Sequence, residues 1–242
     1  MRKSRGNSAL KNMKLDTTYL NPVTIDDFLF SNSYDKIFLE DILDGNLNFP
    51  AMGKTGICLH GTYGTGKTTL ALQLPDMLDK SGVLGTAQRG NMFVRSPIYN
   101  LTKCKPGNSS ISQINEIAER VDSLESYSQK GWHFEVLDEA DLLTETAQDL
   151  LKSLMTFNKY TVFIMTTNHP SKFGRGLVDR CHMIEMNAAS NQSYVDFGKK
   201  LLTKMGLSDE ILSDNELLDF AKRCRGSLRD FGTDVIRTVA RR

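Results

Sequence analysis

The stretch GTYGTGKTT, Gly61 to Thr69, follows the apolar run TGICLH (55–60) and precedes a segment with helical spacing. Glycine loses more conformational freedom on folding than any other residue, so a cluster of them just past a strand needs a reason. Gly61, Gly66, Lys67 and Thr68 fit the pattern G-x-x-x-x-G-K-[ST], placed as its mechanism requires, after a strand and at the start of a helix. The glycines let backbone N–H groups close around phosphate oxygens, the helix start presents its positive dipole end, and the lysine adds a cation. Gly61, Thr62, Tyr63, Gly64, Thr65, Gly66, Lys67, Thr68 and Thr69 are therefore the candidate residues for binding a nucleotide. Thr68 also offers a hydroxyl to Mg2+. Pro75 is expected to end or kink the helix early.

Hydrolysis of a bound nucleotide needs an acidic element on a neighbouring strand. HFEVLDEAD (133–141) supplies one, with Asp138 at the end of an apolar run, placed to hold Mg2+ through water, and Glu139 beside it as candidate base for the attacking water. Asp141 is expected to cap a helix. The run TVFIMTTN (161–168) ends in Thr166, Thr167 and Asn168, and Asn168 is a candidate for orienting the water or touching the γ-phosphate. Arg180 precedes the last strand and Arg229 opens the last helix; an arginine brought to a phosphate spreads transition-state charge.

Around these motifs, TGICLH (55–60), NMFVRS (91–96), HFEVLDE (133–139), TVFIMTTN (161–168) and CHMIEM (181–186) read as short strands, several apolar throughout. A parallel sheet covered on both faces has strands of that kind. Segments 67–80, 111–129 and 144–157 read as helices, so the order is strand, helix, strand: an α/β fold of the doubly wound class. SPIYNLTKCKPGNSS (96–110), with Lys103 and Lys105, reads as a polar, basic loop. After Asn187 no strand-like run appears. Tyr194, Phe197, Leu201 and Met205 share one helical face, as do Leu217, Phe220, Ala221 and Cys224, and again Leu228, Phe231, Val235 and Val239. The expected organisation is a basic flexible tail over 1–17, a nucleotide-binding α/β domain over 18–187 and a helical lid over 188–242.

The 242 residues carry a formal net charge of +1, which excludes holding a nucleic acid by bulk charge alone. Four cysteines, Cys58, Cys104, Cys181 and Cys224, stand far apart, without the spacing of a zinc site or a disulfide framework. No apolar run approaches the roughly 20 residues that span a bilayer, and the N-terminus lacks the apolar core of a signal peptide. The expectation is a cytoplasmic protein with no membrane partner.

The order of these motifs resembles the AAA+ ATPases, a likeness that covers about residues 18–240 and implies a P-loop sheet of strand order 5-1-4-3-2 with a small helical lid. Within that group TIDDF (24–28), LDEADLLTETAQDLLKSLM (137–155) and TTNHPSKFGRGLVDRC (166–181) are similar to the small ATPase subunits of DNA sliding-clamp loaders, of the replication factor C and T-even phage kind. The resemblance implies ATP and Mg2+ as cofactors. It makes Lys67 and Thr68 the phosphate and Mg2+ contacts, Asp138 and Glu139 the Walker B pair and Asn168 sensor 1. Arg180 becomes a finger offered to the nucleotide of a neighbouring subunit, and Arg229 becomes sensor 2 in cis. It implies a homo- or hetero-oligomer through the AAA+ faces, DNA as partner, and a sliding clamp or other replication protein as a further one. Asp179 stands where those subunits have serine and is expected to pair with Arg180 and blunt it. Their helical collar has no counterpart before Arg242, so assembly is expected to rest on the AAA+ faces, on nucleotide or on another polypeptide. The alternatives are a helper ATPase for transposition, helicase loading or protein remodelling, and a slowly hydrolysing assembly subunit.

Overall fold

The computed structural model describes residues 22–85, 98–122, 128 and 130–242. The expected basic tail over 1–17, the strand expected at 91–96 and the end of the helix expected over 111–129 lie outside them. The chain divides into two compact units.

The first unit, Asn32–Gly61 with Lys67–Glu185, is built on five parallel strands. They are β1 (Gly56–His60), β2 (Asn100–Lys103), β3 (His133–Asp138), β4 (Thr161–Thr167) and β5 (Cys181–Glu185), in the order β2-β3-β4-β1-β5. That is the 5-1-4-3-2 order expected. Parallel neighbours need crossovers, and helices provide them: α1 (Ser33–Leu43) precedes the sheet, and α2 (Lys67–Ser81), α3 (Ser109–Asp122), α4 (Glu145–Phe157) and the short α5 (Arg175–Val178) lie between strands. β3 and β4 are buried almost from end to end, which explains their unbroken apolar runs. Leu137, Phe163 and Met165 of the sheet pack with Ile114 and Ile117 of α3 and with Ala147 and Leu151 of α4. All four cysteines of the chain are buried free thiols.

Two expectations fail here. α2 runs on through Pro75 to Ser81; Leu70, Ala71, Leu74 and Leu78 are wholly buried on one face, and this packing outweighs the proline's local penalty. The segment read as a loop contains β2. β2 is an edge strand whose residues alternate between partly buried and exposed, so it needs no apolar run; its pairing with β3, Asn100 opposite Glu135 through Lys103 opposite Asp138, holds it in place. The inward positions are polar because Glu135, with no exposed surface, accepts from Asn100 Nδ2 at 2.7 Å and from Arg120 at 3.0 Å. Burial pushes that carboxyl upward, and Arg120 opposes the shift.

Among the described residues the second unit comprises 22–31, Thr62–Gly66 and Met186–Arg242. Three helices dominate it: α6 (Asn191–Lys204), α7 (Asp214–Arg223) and α8 (Leu228–Val239). Ser190, Ser213 and Ser227 cap their starts by accepting N–H groups from the first turn. The three apolar stripes seen in the sequence meet in one cluster around Tyr194, Leu217 and Phe231. Asp27, in a short turn of 3-10 helix, is buried; it takes ion pairs from Lys204 at 2.7 Å and Lys200 at 3.0 Å, both on α6, and N–H bonds from Val23 and Thr24. Burial raises this carboxyl, but the lysines and the amides together hold it well below the usual carboxylate range.

Candidate functional site

In a parallel sheet all strands end on one edge, so β1, β3 and β4 deliver their last residues to the same place. In the first unit that edge carries Gly61, Lys67 and Thr68 after β1, Asp138 and Glu139 at the end of β3, and Asn168 directly after β4. Lys67 is buried and its Nζ donates to the Gly61 carbonyl at 2.9 Å. Burial pushes the ammonium down to about 8, with Asp138 and Asp141 opposing the shift. Thr68 Oγ1 donates to Asp138 Oδ1 at 2.8 Å, and Thr166 Oγ1 donates to the same oxygen at 2.6 Å. A hydroxyl and a carboxylate oxygen side by side are the hard donors that suit Mg2+, so Thr68 and Asp138 fit that ion.

Glu139 follows with φ 56° and ψ 46°, the left-handed region that a non-glycine residue occupies at a cost of about 1 kcal/mol or more. Its N–H donates to Thr166 Oγ1 at 3.0 Å, which holds the turn. The result is an exposed carboxylate next to Asp138, open to water. Cys104, whose N–H donates to the Asp138 carbonyl, has its thiol pushed up to about 12, by burial first and by the neighbouring acids next.

In the second unit the loop residues Thr62–Gly66 are pinned by contacts of their own. Thr62 N donates to Asn187 Oδ1 at 3.0 Å, Thr65 Oγ1 to the Thr62 carbonyl at 3.1 Å, and Leu228 N to the Gly64 carbonyl at 2.9 Å. Gly64 and Gly66 have φ of +77° and +97°; a Cβ on Gly64 meets Ser227 Oγ at 2.6 Å. Both positions therefore call for glycine by their backbone, and Gly64 by lack of space as well. Thr62 and Tyr63 are exposed at the loop tip, and Thr69 is exposed on α2. Arg229 is exposed in the first turn of α8, one residue beyond the amide that holds Gly64.

Arg180 stands apart from the other candidates of the first unit. It precedes β5, and its carbonyl accepts from Thr55 and Gly56 at the start of β1. The four steps of β1 from Gly56 to His60 span roughly 13 Å, so Arg180 lies at the opposite end of the strand from Gly61. Its Nε donates to Thr156 Oγ1 and its Nη1 to the Gly176 carbonyl, both at 2.8 Å. It borders a cavity of about 420 Å³ lined also by Met52, Lys54 and Lys159. The expected pairing with Asp179 does not form: Thr156 Oγ1 and the Gly176 carbonyl take the guanidinium instead.

Asp141 is not a cap. Thr144 caps α4, and Asp141 lies buried in the turn Ala140–Leu142, accepting from Thr167 Oγ1 at 2.8 Å and facing Lys172 Nζ at 3.6 Å. Helix-start position and acidity suggested a cap, but a side chain pointing inward finds its donor on β4. Sequence reading passed over three further residues. Thr166 was visible as a polar end to an apolar strand. Gln148, buried on α4, donates to the carbonyls of Leu143 and Lys172 and accepts from Gly174 N, and no local pattern marks it. The same holds for Asn187.

Among the described residues no helix is long and apolar enough to cross a membrane. Residues 57–188 match the ATPase family associated with various cellular activities (AAA). Over 150 residues the chain is 29% identical to replication factor C subunit 2 of Saccharomyces cerevisiae, covering 57% of this chain and 38% of that protein. Over 178 residues it is 26% identical to DNA polymerase III subunit gamma of Buchnera aphidicola, covering 71% of this chain and 48% of that protein. The chain thus spans half or less of these two relatives. A solved RuvB structure from Thermotoga maritima superposes with a TM-score of 0.61 at 18% identity, covering 92% of this chain and 65% of that one, a likeness of fold.

Proposed function

The chain belongs to the ATPase family associated with various cellular activities, and from that membership we propose that it is an ATP-driven switch in DNA replication, a clamp-loader-type subunit that assembles on DNA. The replication relatives support the setting. The observation that carries the assembly is the place of Arg180, at the far end of β1 from Lys67. An arginine there has no reach to its own nucleotide, and in a ring or spiral it meets the nucleotide of the next subunit.

In this reading the loop amides and Lys67 bind the triphosphate, and Lys67 opposes its negative charge. Thr68 and Asp138 would hold Mg2+, which when bound would supply positive charge against the phosphates. Glu139, water-accessible and fixed by Thr166, accepts the proton of the attacking water. Asn168 orients that water. Arg180 from the neighbour, and Arg229 from the lid over 188–242, offset charge on the γ-phosphate in the transition state. Sliding clamp and DNA are the partners this reading implies.

The test combines light-scattering mass with ATP turnover. With a non-hydrolysable ATP analogue the wild type is expected to form a defined oligomer, and primer–template DNA to raise turnover. Arg180→Ala should lower turnover about a thousandfold while leaving nucleotide affinity intact. A monomer whose turnover ignores both DNA and Arg180→Ala sinks the proposal.

A further inference from the structure

Asp141 is buried and lies outside the chemistry assigned above, yet its two oxygens reach both flanks of one candidate residue. Oδ1 accepts from Thr167 Oγ1 at 2.8 Å, immediately before Asn168; Oδ2 faces Lys172 Nζ at 3.6 Å, in the short turn Pro170–Lys172 just after it. Thr167 Oγ1 also accepts the N–H of His169 at 2.9 Å, closing a turn around Asn168. A hydroxyl has one proton. Once the Asp141 carboxylate takes it, only lone pairs remain to face the His169 N–H, so the acid sets the polarity of the turn that carries Asn168. Remove the acceptor, and the hydroxyl is free to rotate and release His169.

We propose that Asp141 is a positioning residue for hydrolysis: through Thr167 and Lys172 it holds the backbone on either side of Asn168 and so aims that side chain. The proposal rests on reading Asn168 as part of the hydrolytic site. In this reading Asp141 acts only through the chain, by its bonds to Thr167 and Lys172. Its loss therefore lowers the rate at saturating ATP and spares binding.

The test uses the full chain with primer–template DNA, comparing Asp141→Ala, Asp141→Asn, Thr167→Val, Thr167→Ser and Asn168→Ala for turnover at saturating ATP, affinity for a fluorescent ATP analogue, and hydrogen exchange of the His169 amide. Asp141→Ala and Thr167→Val should each slow turnover about tenfold, with affinity changed by less than about threefold. In both, the His169 amide should exchange faster. Asp141→Asn and Thr167→Ser keep the acceptor and the donor and should recover most of the rate; a purely electrostatic role would leave the asparagine variant as slow as the alanine. Joined to Asn168→Ala, Asp141→Ala should add little. Full additivity of that pair, an affinity loss equal to the rate loss, or unchanged His169 exchange overturns the proposal. If Asn168→Ala itself leaves turnover untouched, the reading of Asn168 falls first and this proposal falls with it. Thr167→Val is nearly isosteric and carries the test if Asp141→Ala does not fold.

Discussion

The two ends of the same strands are built differently. At the end where β1, β3 and β4 finish, side chains bond to side chains: Thr68 and Thr166 to Asp138, Thr167 to Asp141, with Glu139 held in a left-handed backbone. At the end where β1 and β5 begin, Lys54 bonds to the carbonyls of Asp179 and Cys181, and Arg180 to Thr156 and the Gly176 carbonyl. The first end assembles several acids and a buried ammonium into one network. The second holds a cation at a surface cavity. The difference teaches that one sheet can gather a polar network at one edge and hold a lone cation at the other; under the proposed function the first acts on a ligand bound within its own chain and the second serves a neighbouring one.

The largest effect that tests this contrast comes from mixing two variants. Lys67→Ala alone and Arg180→Ala alone should each lower turnover about a thousandfold. If the two ends serve different chains, a mixture of the variants regains measurable turnover, because an intact nucleotide site can sit beside an intact arginine. No regain over either variant alone would place both residues in one chain's chemistry and break the contrast. A somewhat smaller effect belongs to the finishing edge: Glu139→Gln should lower turnover about a hundredfold at unchanged ATP affinity, read by single-turnover kinetics. Parallel losses of rate and affinity would demote Glu139 to a binding role. The smallest sharpens the starting edge. Thr156→Val removes the bond to Arg180 Nε and should cost about 1.5 kcal/mol, roughly tenfold in oligomer turnover, with ATP affinity unmoved; unchanged turnover would mean that the Gly176 carbonyl alone suffices to hold the guanidinium.

The legible parts of this protein were those whose chemistry needs a fixed spacing along the chain. The loop from Gly61 to Thr68 is one contiguous cradle, and β3 and β4 are buried on both faces, so each announces itself locally. Pro75 misled because a proline's cost is local while the face of α2 it interrupts is buried along its length. β2 escaped notice because an edge strand paired to a buried neighbour needs no apolar run. Asp141 read as a cap because an acid before a helix resembles one, and its partner Thr167 lies 26 residues away.

By itself, then, the sequence determined the fold class, the glycine-rich loop after β1, the place of the acidic pair at the end of β3 and the three C-terminal helices, all of which follow from short-range pattern. Only the tertiary structure decided that Thr166 joins Asp138 to Glu139, that Asp141 grips the turn around Asn168, that Arg180 ignores Asp179, and that Arg180 stands a full strand away from Lys67. The physical reason is common to all four: they depend on which strand neighbours which and on which end of the sheet a residue occupies, and parallel pairing brings together residues that no local spacing relates.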